Sequence, residues 1–151
     1  MPMPAHHPPT NPNSPFASMA AHHVAIRVPD YEVSKSWFVD TLGWRVVQEW
    51  MYGALQLAYI APPADDSFHV EILAGPGAAA QTVYENVDDS LTQNGLNHVC
   101  IQVESVDDSL AELRRRGVTI VGEPFELEAI RSRLAFFADP FGNLFELKQP
   151  I

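Results

Sequence analysis

Two segments of the chain repeat one pattern of apolar and polar positions. The first is HHVAIRVPDYEVSKSWFVDTLGWRVV from His22, and the second is NHVCIQVESVDDSLAELRRRGVTIV from Asn97, an offset of 75 residues. In both segments an alternating stretch predicts a strand, a helical stretch follows, and a glycine precedes a second apolar strand. The pattern therefore predicts an internal repeat.

Both predicted helices have start and end signals. Asp30 and Ser105 are residue types that cap a helix N-terminus with a side-chain oxygen, and Asp108 stands in a capping-box position after Ser105. Gly43 and Gly117 fit the left-handed residue that ends a helix. We therefore expect one helix in each copy, between these limits.

Further apolar stretches after each helix predict three more strands per copy. They are RVVQEWMY, ALQLAYI and FHVEIL in the first copy, and VTIVG, RLAFFA and NLFELK in the second. The turn Asp139-Pro140-Phe141-Gly142-Asn143 suits a tight hairpin between the last two strands. The expected fold class is therefore α+β, with two tandem βαβββ modules.

The chain has 151 residues, of which 46% are hydrophobic, so one domain with a sizeable core is expected. We place it at 21–151, with module 1 at about 21–75, a linker at about 76–95 and module 2 at about 96–150. Residues 1–20 are rich in proline and almost lack apolar periodicity, so we expect a flexible tail.

Net charge and cysteine content limit the classes of partner and the cellular location that we expect. The net charge of -10 would repel nucleic acid and anionic membrane surfaces, so neither is an expected partner. No apolar run approaches the roughly 20 residues that cross a bilayer, and the N-terminus lacks the pattern of a secretory signal. Cys100 is the single cysteine, so no intramolecular disulfide can form and a reducing cytoplasm is expected.

Two histidines and two glutamates keep one spacing. Glu71 follows His23 by 48 residues, and Glu146 follows His98 by the same 48. All four therefore occupy equivalent positions in the two copies. Strand alternation places His23 with Ala25 and Arg27 on one face, opposite an apolar face that should pack on the helices.

The same alternation places His98 with Cys100 and Gln102 on the polar face of the second copy. Glu71 and Glu146 each lie in an apolar strand, where a buried carboxylate is costly unless something compensates it. One divalent metal ion would compensate both, since two carboxylates and two imidazoles give a mixed N/O ligand set. The sequence therefore predicts a site for Zn, Ni, Co, Mn or Fe.

Other polar residues are candidates for substrate contact. His69 lies two residues before Glu71 and should share its face, as a substrate contact or proton relay, or it could be exposed at a strand start. Arg27 and Gln102 could bind an anionic group of a small-molecule substrate, or form a structural pair. His22 should point away from the face of His23, as a surface or packing residue.

Three segments resemble the vicinal-oxygen-chelate superfamily: HVAIRVPDYEVSKSWFVDTLGW, GLNHVCIQV and DPFGNLFELK. That superfamily includes glyoxalase I, methylmalonyl-CoA epimerase, extradiol dioxygenases, and the fosfomycin- and bleomycin-resistance proteins, and the resemblance covers residues 22–149. It implies two βαβββ modules that form a curled mixed sheet around a metal-binding cleft, with the first and last strands of each module adjacent. It also implies a homodimer.

Within that resemblance, Glu71 separates the reactions. The extradiol and fosfomycin enzymes use two histidines and one carboxylate, matching His23, His98 and Glu146. Glyoxalase I-like members have a glutamate at the fourth position, as here, and the epimerases generally have glutamine. The resemblance thus favours a lyase or isomerase that moves a proton next to a carbonyl through a metal-bound enediolate, with Glu71 or Glu146 as base.

Two alternatives stay open. One is an Fe(II) extradiol-type dioxygenase that acts on a catechol-like substrate, with His69 or Tyr59 as its acid/base. The other is a non-catalytic protein that binds a small molecule such as an antibiotic; the four ligand-type residues argue against it.

Overall fold

Each copy of the repeat forms its own four-stranded sheet. The computed structural model describes residues 1–151. Module 1 contains β1 (His23–Val28), α1 (Tyr31–Ser36), a π-helical turn (Trp37–Thr41), β2 (Arg45–Tyr52), β3 (Leu55–Ala61) and β4 (His69–Ala74). The linker holds α2 (Val87–Ser90). Module 2 contains β5 (His98–Gln102), α3 (Val106–Arg115), β6 (Thr119–Leu127), a 3-10 turn (Glu128–Ile130), β7 (Ser132–Ala138) and β8 (Leu144–Pro150).

The order of the strands confirms the α+β fold with two βαβββ modules. The first sheet has the order β1-β4-β3-β2 and the second the order β5-β8-β7-β6. In both sheets the first and last strands of the module are parallel neighbours, and every other pairing is antiparallel. The two mixed sheets are therefore equivalent, as the repeat predicts.

Both predicted helix caps form. The side chain of Asp30 accepts a hydrogen bond from Val33 N at 2.9 Å, and Ser105 Oγ accepts one from Asp108 N at 3.2 Å. Each bond satisfies an amide that has no partner within the first turn of its helix.

The first helix changes character before it ends. Its α-helical part stops at Ser36, and the following turn is π-helical, with Leu42 N donating to Trp37 O at 3.3 Å. The rings of Trp37 and Phe38 lie 5.9 and 6.0 Å from the ring of Phe145 in β8. The helical segment of module 1 thus packs against the sheet of module 2.

One hydrophobic core joins the two modules. It takes alternate residues from the first and last strands of each sheet, together with apolar residues of both helical segments. Its fully buried large side chains are Phe38, Phe145, Ile60, Ile72, Leu110, Val28, Val70 and Val106. Because strand residues alternate between faces, His23, Glu71, His98 and Glu146 point away from this shared core.

The linker packs on the opposite face of the second sheet. Tyr84 and Val87 contact a smaller apolar cluster that includes Leu134 and Phe136. Gly122 allows this approach, because a Cβ there would lie 2.9 Å from Val87 Cγ2. The linker therefore covers part of the face that also carries His98 and Glu146.

Residues 1–20 contain no helix or strand. Met3 N donates a hydrogen bond to Ala129 O at 2.8 Å, so the chain start contacts the 3-10 turn of module 2. None of the helices is both long and apolar enough to cross a membrane.

The hairpin between β7 and β8 depends on a buried aspartate. Asp139 is 4% exposed and accepts hydrogen bonds from Phe141 N at 2.9 Å, Asn143 N at 2.8 Å and Asn143 Nδ2 at 2.7 Å. Backbone amides buried in a turn need such acceptors, since unpaired buried donors are costly.

We expect Asp139→Ala to lower the free energy of unfolding by about 1–3 kcal/mol, because it leaves these donors unpaired. Asp139→Asn keeps one acceptor oxygen and should cost less. Urea unfolding measures both values. Glu104→Ala, at an exposed residue, is the matched control and should change stability by less than about 0.5 kcal/mol. If Asp139→Ala lowered the free energy of unfolding by no more than this control does, Asp139 would not be the residue that stabilises the hairpin.

Candidate metal centre

Parallel pairing of β1 and β4 places a histidine beside a glutamate. In the register Ala25 is the partner of Glu71, and His23 is the partner of His69. His23 is two residues before Ala25, the register partner of Glu71, so the side chains of His23 and Glu71 lie on the same face of the sheet. His23 Nε2 lies 3.1 Å from Glu71 Oε2. The side chains are 32% and 12% exposed, so the pair is largely shielded but still open to a ligand.

Module 2 repeats this geometry. Cys100 is the register partner of Glu146, and His98 Nε2 lies 3.2 Å from Glu146 Oε2. The exposed fractions of the two side chains are again 32% and 12%. We call the face with His23 and Glu71, and the face with His98 and Glu146, the ligand faces of the two sheets.

Each His–Glu pair fits two positions of a divalent ion. Imidazole nitrogen and carboxylate oxygen lie about 2.0–2.2 Å from such an ion, so adjacent ligands at right angles are about 3 Å apart. The separations of 3.1 and 3.2 Å match that requirement. The donor set, two imidazoles and two carboxylates, suits Zn, Ni, Co, Mn or Fe(II).

The four predicted ligands form two separate pairs within one chain. No group of three or more His, Cys, Asp or Glu side chains is close enough to hold one metal ion. The shared core explains this, since both ligand faces turn away from it. One chain therefore presents two candidate half-sites, each with one histidine and one glutamate.

The other nitrogen of each histidine is also engaged. His98 Nδ1 lies 2.7 Å from Asn97 Oδ1, and His23 Nδ1 lies 2.8 Å from His22 Nδ1. The expectation that His22 points away from His23 was wrong. His22 precedes β1, so strand alternation does not set the direction of its side chain.

His69 lies on the ligand face with its predicted neighbour Glu71. Its ring is 5.9 Å from Tyr59 and 5.4 Å from His22, and Tyr59 is the register partner of Glu71. His69 Nδ1 is buried and has no hydrogen-bond partner. Trp50 extends this aromatic group, with its ring 4.7 Å from that of Tyr59.

Cys100 holds the second oxygen of one glutamate. Cys100 Sγ donates to Glu146 Oε1 at 3.2 Å. Burial, and then the neighbouring Glu146 carboxylate, raise the pKa of the Cys100 thiol to about 12. A protonated thiol is a donor, so both oxygens of Glu146 have partners. Glu71 has no such second donor, since Ala25 stands at the equivalent position.

The two predicted substrate contacts differ in their surroundings. The guanidinium of Arg27 donates to four backbone carbonyl oxygens, those of Val28, Leu73, Gly75 and Pro76, at 2.6–3.0 Å. Both terminal nitrogens of Arg27 are therefore engaged in hydrogen bonds, which connect the ends of β1 and β4 to the start of the linker. A substrate anion would have to displace them.

Gln102 is exposed, and its register partner is Lys148 of β8. Both lie on the ligand face of the second sheet, one strand step beyond Cys100 and Glu146. Sequence reasoning missed Lys148, although its spacing of two from Glu146 was a sufficient signal. A cavity of about 360 Å³ at the seam between the modules is lined by Gln102 and by none of the four predicted ligands.

Comparison with known proteins gives one consistent result. The profile of the Glyoxalase/Bleomycin resistance protein/Dioxygenase superfamily matches residues 20–147. The Bacillus subtilis protein YwkD is 30% identical over 121 residues, which are 79% of this chain and 88% of that protein. A Synechocystis protein named "probable lactoylglutathione lyase" is 26% identical over 130 residues, which are 84% of this chain and 92% of that protein.

A solved structure shows the same fold. The crystal structure of a glyoxalase family protein from Enterococcus faecalis superposes with a TM-score of 0.70 and 24% sequence identity. The match covers 87% of this chain and 98% of that chain. The arrangement of two βαβββ modules is thus shared over nearly the whole length of both.

We expect Arg27→Ala to lower the free energy of unfolding by about 1–3 kcal/mol, because it leaves partly buried carbonyls without a charged donor. Chemical denaturation measures this loss. Arg131→Ala is the control, since Arg131 is exposed and its guanidinium makes no hydrogen bond or ion pair. If Arg27 served only a substrate, its replacement would leave stability at the level of this control.

Proposed function

We propose a reaction for this chain from one premise: it belongs to the Glyoxalase/Bleomycin resistance protein/Dioxygenase superfamily. The proposed activity is that of a divalent-metal-dependent lyase or isomerase that transfers a proton next to the carbonyl of a small-molecule substrate. One observation carries the proposal: both modules have a His–Glu pair with the same exposure and nearly the same separation, 3.1 and 3.2 Å. A site with four such ligands supports metal-assisted proton transfer.

His23, Glu71, His98 and Glu146 would hold the ion, each through the atom that already faces its partner. When bound, the ion would polarise a substrate carbonyl and acidify the neighbouring C–H group. The remaining steps belong to the side chains. A general base must lie within hydrogen-bond reach of the proton, and its lone pair must be available.

Glu71 is the better candidate for that base. Glu146 has one oxygen facing His98 and the other bonded to Cys100, so its carboxylate is fixed at both ends. Glu71 has His23 as its one side-chain partner, which leaves Oε1 free to accept a proton and return it. His69 and Tyr59 form the adjacent wall, and Gln102 with Lys148 provides polar contacts for the substrate.

We further propose that two copies of the chain complete each site. The two His–Glu pairs of one chain do not come together, so His23 and Glu71 of one copy would share an ion with the pair of module 2 from a second copy. A two-fold symmetric dimer then contains two equivalent sites. The single free cysteine, Cys100, fits a reducing cytoplasmic location.

Mixing two inactive variants tests this arrangement. In the first variant His23 and Glu71 are alanine, and in the second His98 and Glu146 are alanine. We expect neither to bind Ni²⁺ tightly alone. Refolded together, half of the dimers would be mixed, and each mixed dimer has one intact site, so about a quarter of the wild-type Ni²⁺ capacity should return. Calorimetric titration with Ni²⁺ measures the capacity.

Sites built within one chain would never be restored by mixing, so an absence of recovery would contradict the shared site. The double variant with Glu49 and Glu104 as alanine is the control. Glu49 lies on the helix side of the first sheet, where it accepts from Tyr31 and Lys35.

The role of Glu71 can be separated from metal binding. Glu71→Gln keeps an oxygen ligand but cannot accept a proton, so we expect it to retain Ni²⁺ while deuterium exchange from solvent into 2-hydroxycarbonyl compounds falls by at least about 100-fold. Glu146→Gln should retain most of the exchange. Proton NMR in D₂O follows the exchange.

The reverse order of the two variants would reassign the base to Glu146. Oxygen consumption with catechols, without exchange, would favour an Fe(II) dioxygenase. A wild-type protein with no affinity for Ni²⁺, Co²⁺, Mn²⁺ or Zn²⁺ would favour a non-catalytic binding protein.

A further inference from the structure

We propose that His22 and Asn97 are positioning residues, which fix the ring orientation and tautomer of the two histidines that bind the metal. The inference rests on the proposed metal site. It comes from a feature that the repeat makes visible: His22 and Asn97 occupy equivalent positions, 75 residues apart. Each precedes its histidine directly, and each contacts the Nδ1 atom of that histidine.

In module 2 the side-chain amide of Asn97 determines which atom of the contact with His98 carries the hydrogen. Asn97 Nδ2 donates to Ser90 O at 3.2 Å and to Ser90 Oγ at 3.1 Å, so its oxygen is the atom that faces His98. An amide oxygen can only accept, so His98 Nδ1 carries the hydrogen. His98 Nε2, which lies 3.2 Å from Glu146 Oε2, is then the nitrogen left to bind a metal ion. The short helix α2 thus orients a ligand through Ser90 and Asn97.

In module 1 an imidazole replaces the amide. His22 Nδ1 lies 2.8 Å from His23 Nδ1, and one of these atoms must donate while the other accepts. For His23 Nε2 to bind metal, its Nδ1 must be the donor, so the hydrogen of His22 must be on Nε2. His22 therefore performs the role of Asn97 in one of its two neutral tautomers.

The ring of His22 is held in place for this contact. It lies 5.4 Å from Tyr59 and 5.4 Å from His69, and it meets the ring of His23 edge-on at 5.1 Å. His22 O accepts from His69 N at 3.3 Å, which ties its backbone to β4. These contacts explain why a residue outside the strand still has a defined direction.

The two modules should therefore differ before metal binds. The amide oxygen of Asn97 requires a hydrogen on His98 Nδ1, whether or not Nε2 also carries one toward Glu146 Oε2, whereas the pair of imidazoles permits the Nδ1 hydrogen on either His22 or His23. In the metal-free chain we expect His98 Nδ1 to carry a hydrogen throughout, and the Nδ1 hydrogen of module 1 to be distributed between His22 and His23. Nitrogen-15 NMR of the imidazole rings in the metal-free chain distinguishes the two cases.

Variants at the two positions test the role directly. Loss of a partner that orients a metal-bound histidine typically weakens metal binding 10–100-fold. We expect His22→Leu and Asn97→Leu to weaken Co²⁺ binding by about that factor. His22→Asn copies the residue of module 2, so it should keep wild-type affinity within about threefold and convert His23 to the Nδ1–H tautomer. His7→Leu, in the N-terminal segment, is the control.

A purely structural role would not predict rescue by asparagine together with a change in the tautomer of His23. The proposal is overturned if both leucine variants keep wild-type Co²⁺ affinity, or if His22→Asn is as weak as His22→Leu. Should His22→Leu fail to fold, the tautomer and affinity of His22→Asn decide. A wild-type chain that binds no Co²⁺ would instead overturn the proposed function, and the tautomers of His23 and His98 would still test the two hydrogen bonds.

Discussion

The parallel pairing of the first and last strands in each module is the constraint on which the candidate site depends. It places Glu71 opposite Ala25 and Glu146 opposite Cys100, so each glutamate is one strand step from a histidine. A carboxylate in the middle of an apolar strand would otherwise be unfavourable. Register, rather than any single loop, therefore creates both His–Glu pairs and makes them equivalent.

The strand pairing and the two His–Glu pairs could be predicted from the sequence. Two regularities were sufficient: the alternation of residues along each strand and the equal spacing of the two copies. Alternation along the strands separates Ile26 and Val28, which are buried, from His23, and the equal spacing from histidine to glutamate predicts the two His–Glu pairs that the structure forms. Family resemblance then implied that the first and last strands are neighbours, which the register confirms.

The rest depends on contacts that no local pattern encodes. Arg27 shares the polar face of β1, but its donors meet carbonyls that arrive from the end of β4 and from the linker. His22 lies just outside the strand, where alternation carries no information. The rings of Trp37 and Phe38 pack on the second sheet, and the sequence of one module does not specify this contact between modules.

The separation of ligand faces from the shared core has an evolutionary consequence. His23, Glu71, His98 and Glu146 lie outside the common core, so we expect their replacement to change chemistry at a small cost in folding free energy. A lineage can gain or lose a ligand in one module while the other module, held by the same core, keeps the chain folded. Such a scaffold tolerates drift from catalysis to simple binding, which accords with a superfamily whose name joins a glyoxalase, a resistance protein and a dioxygenase.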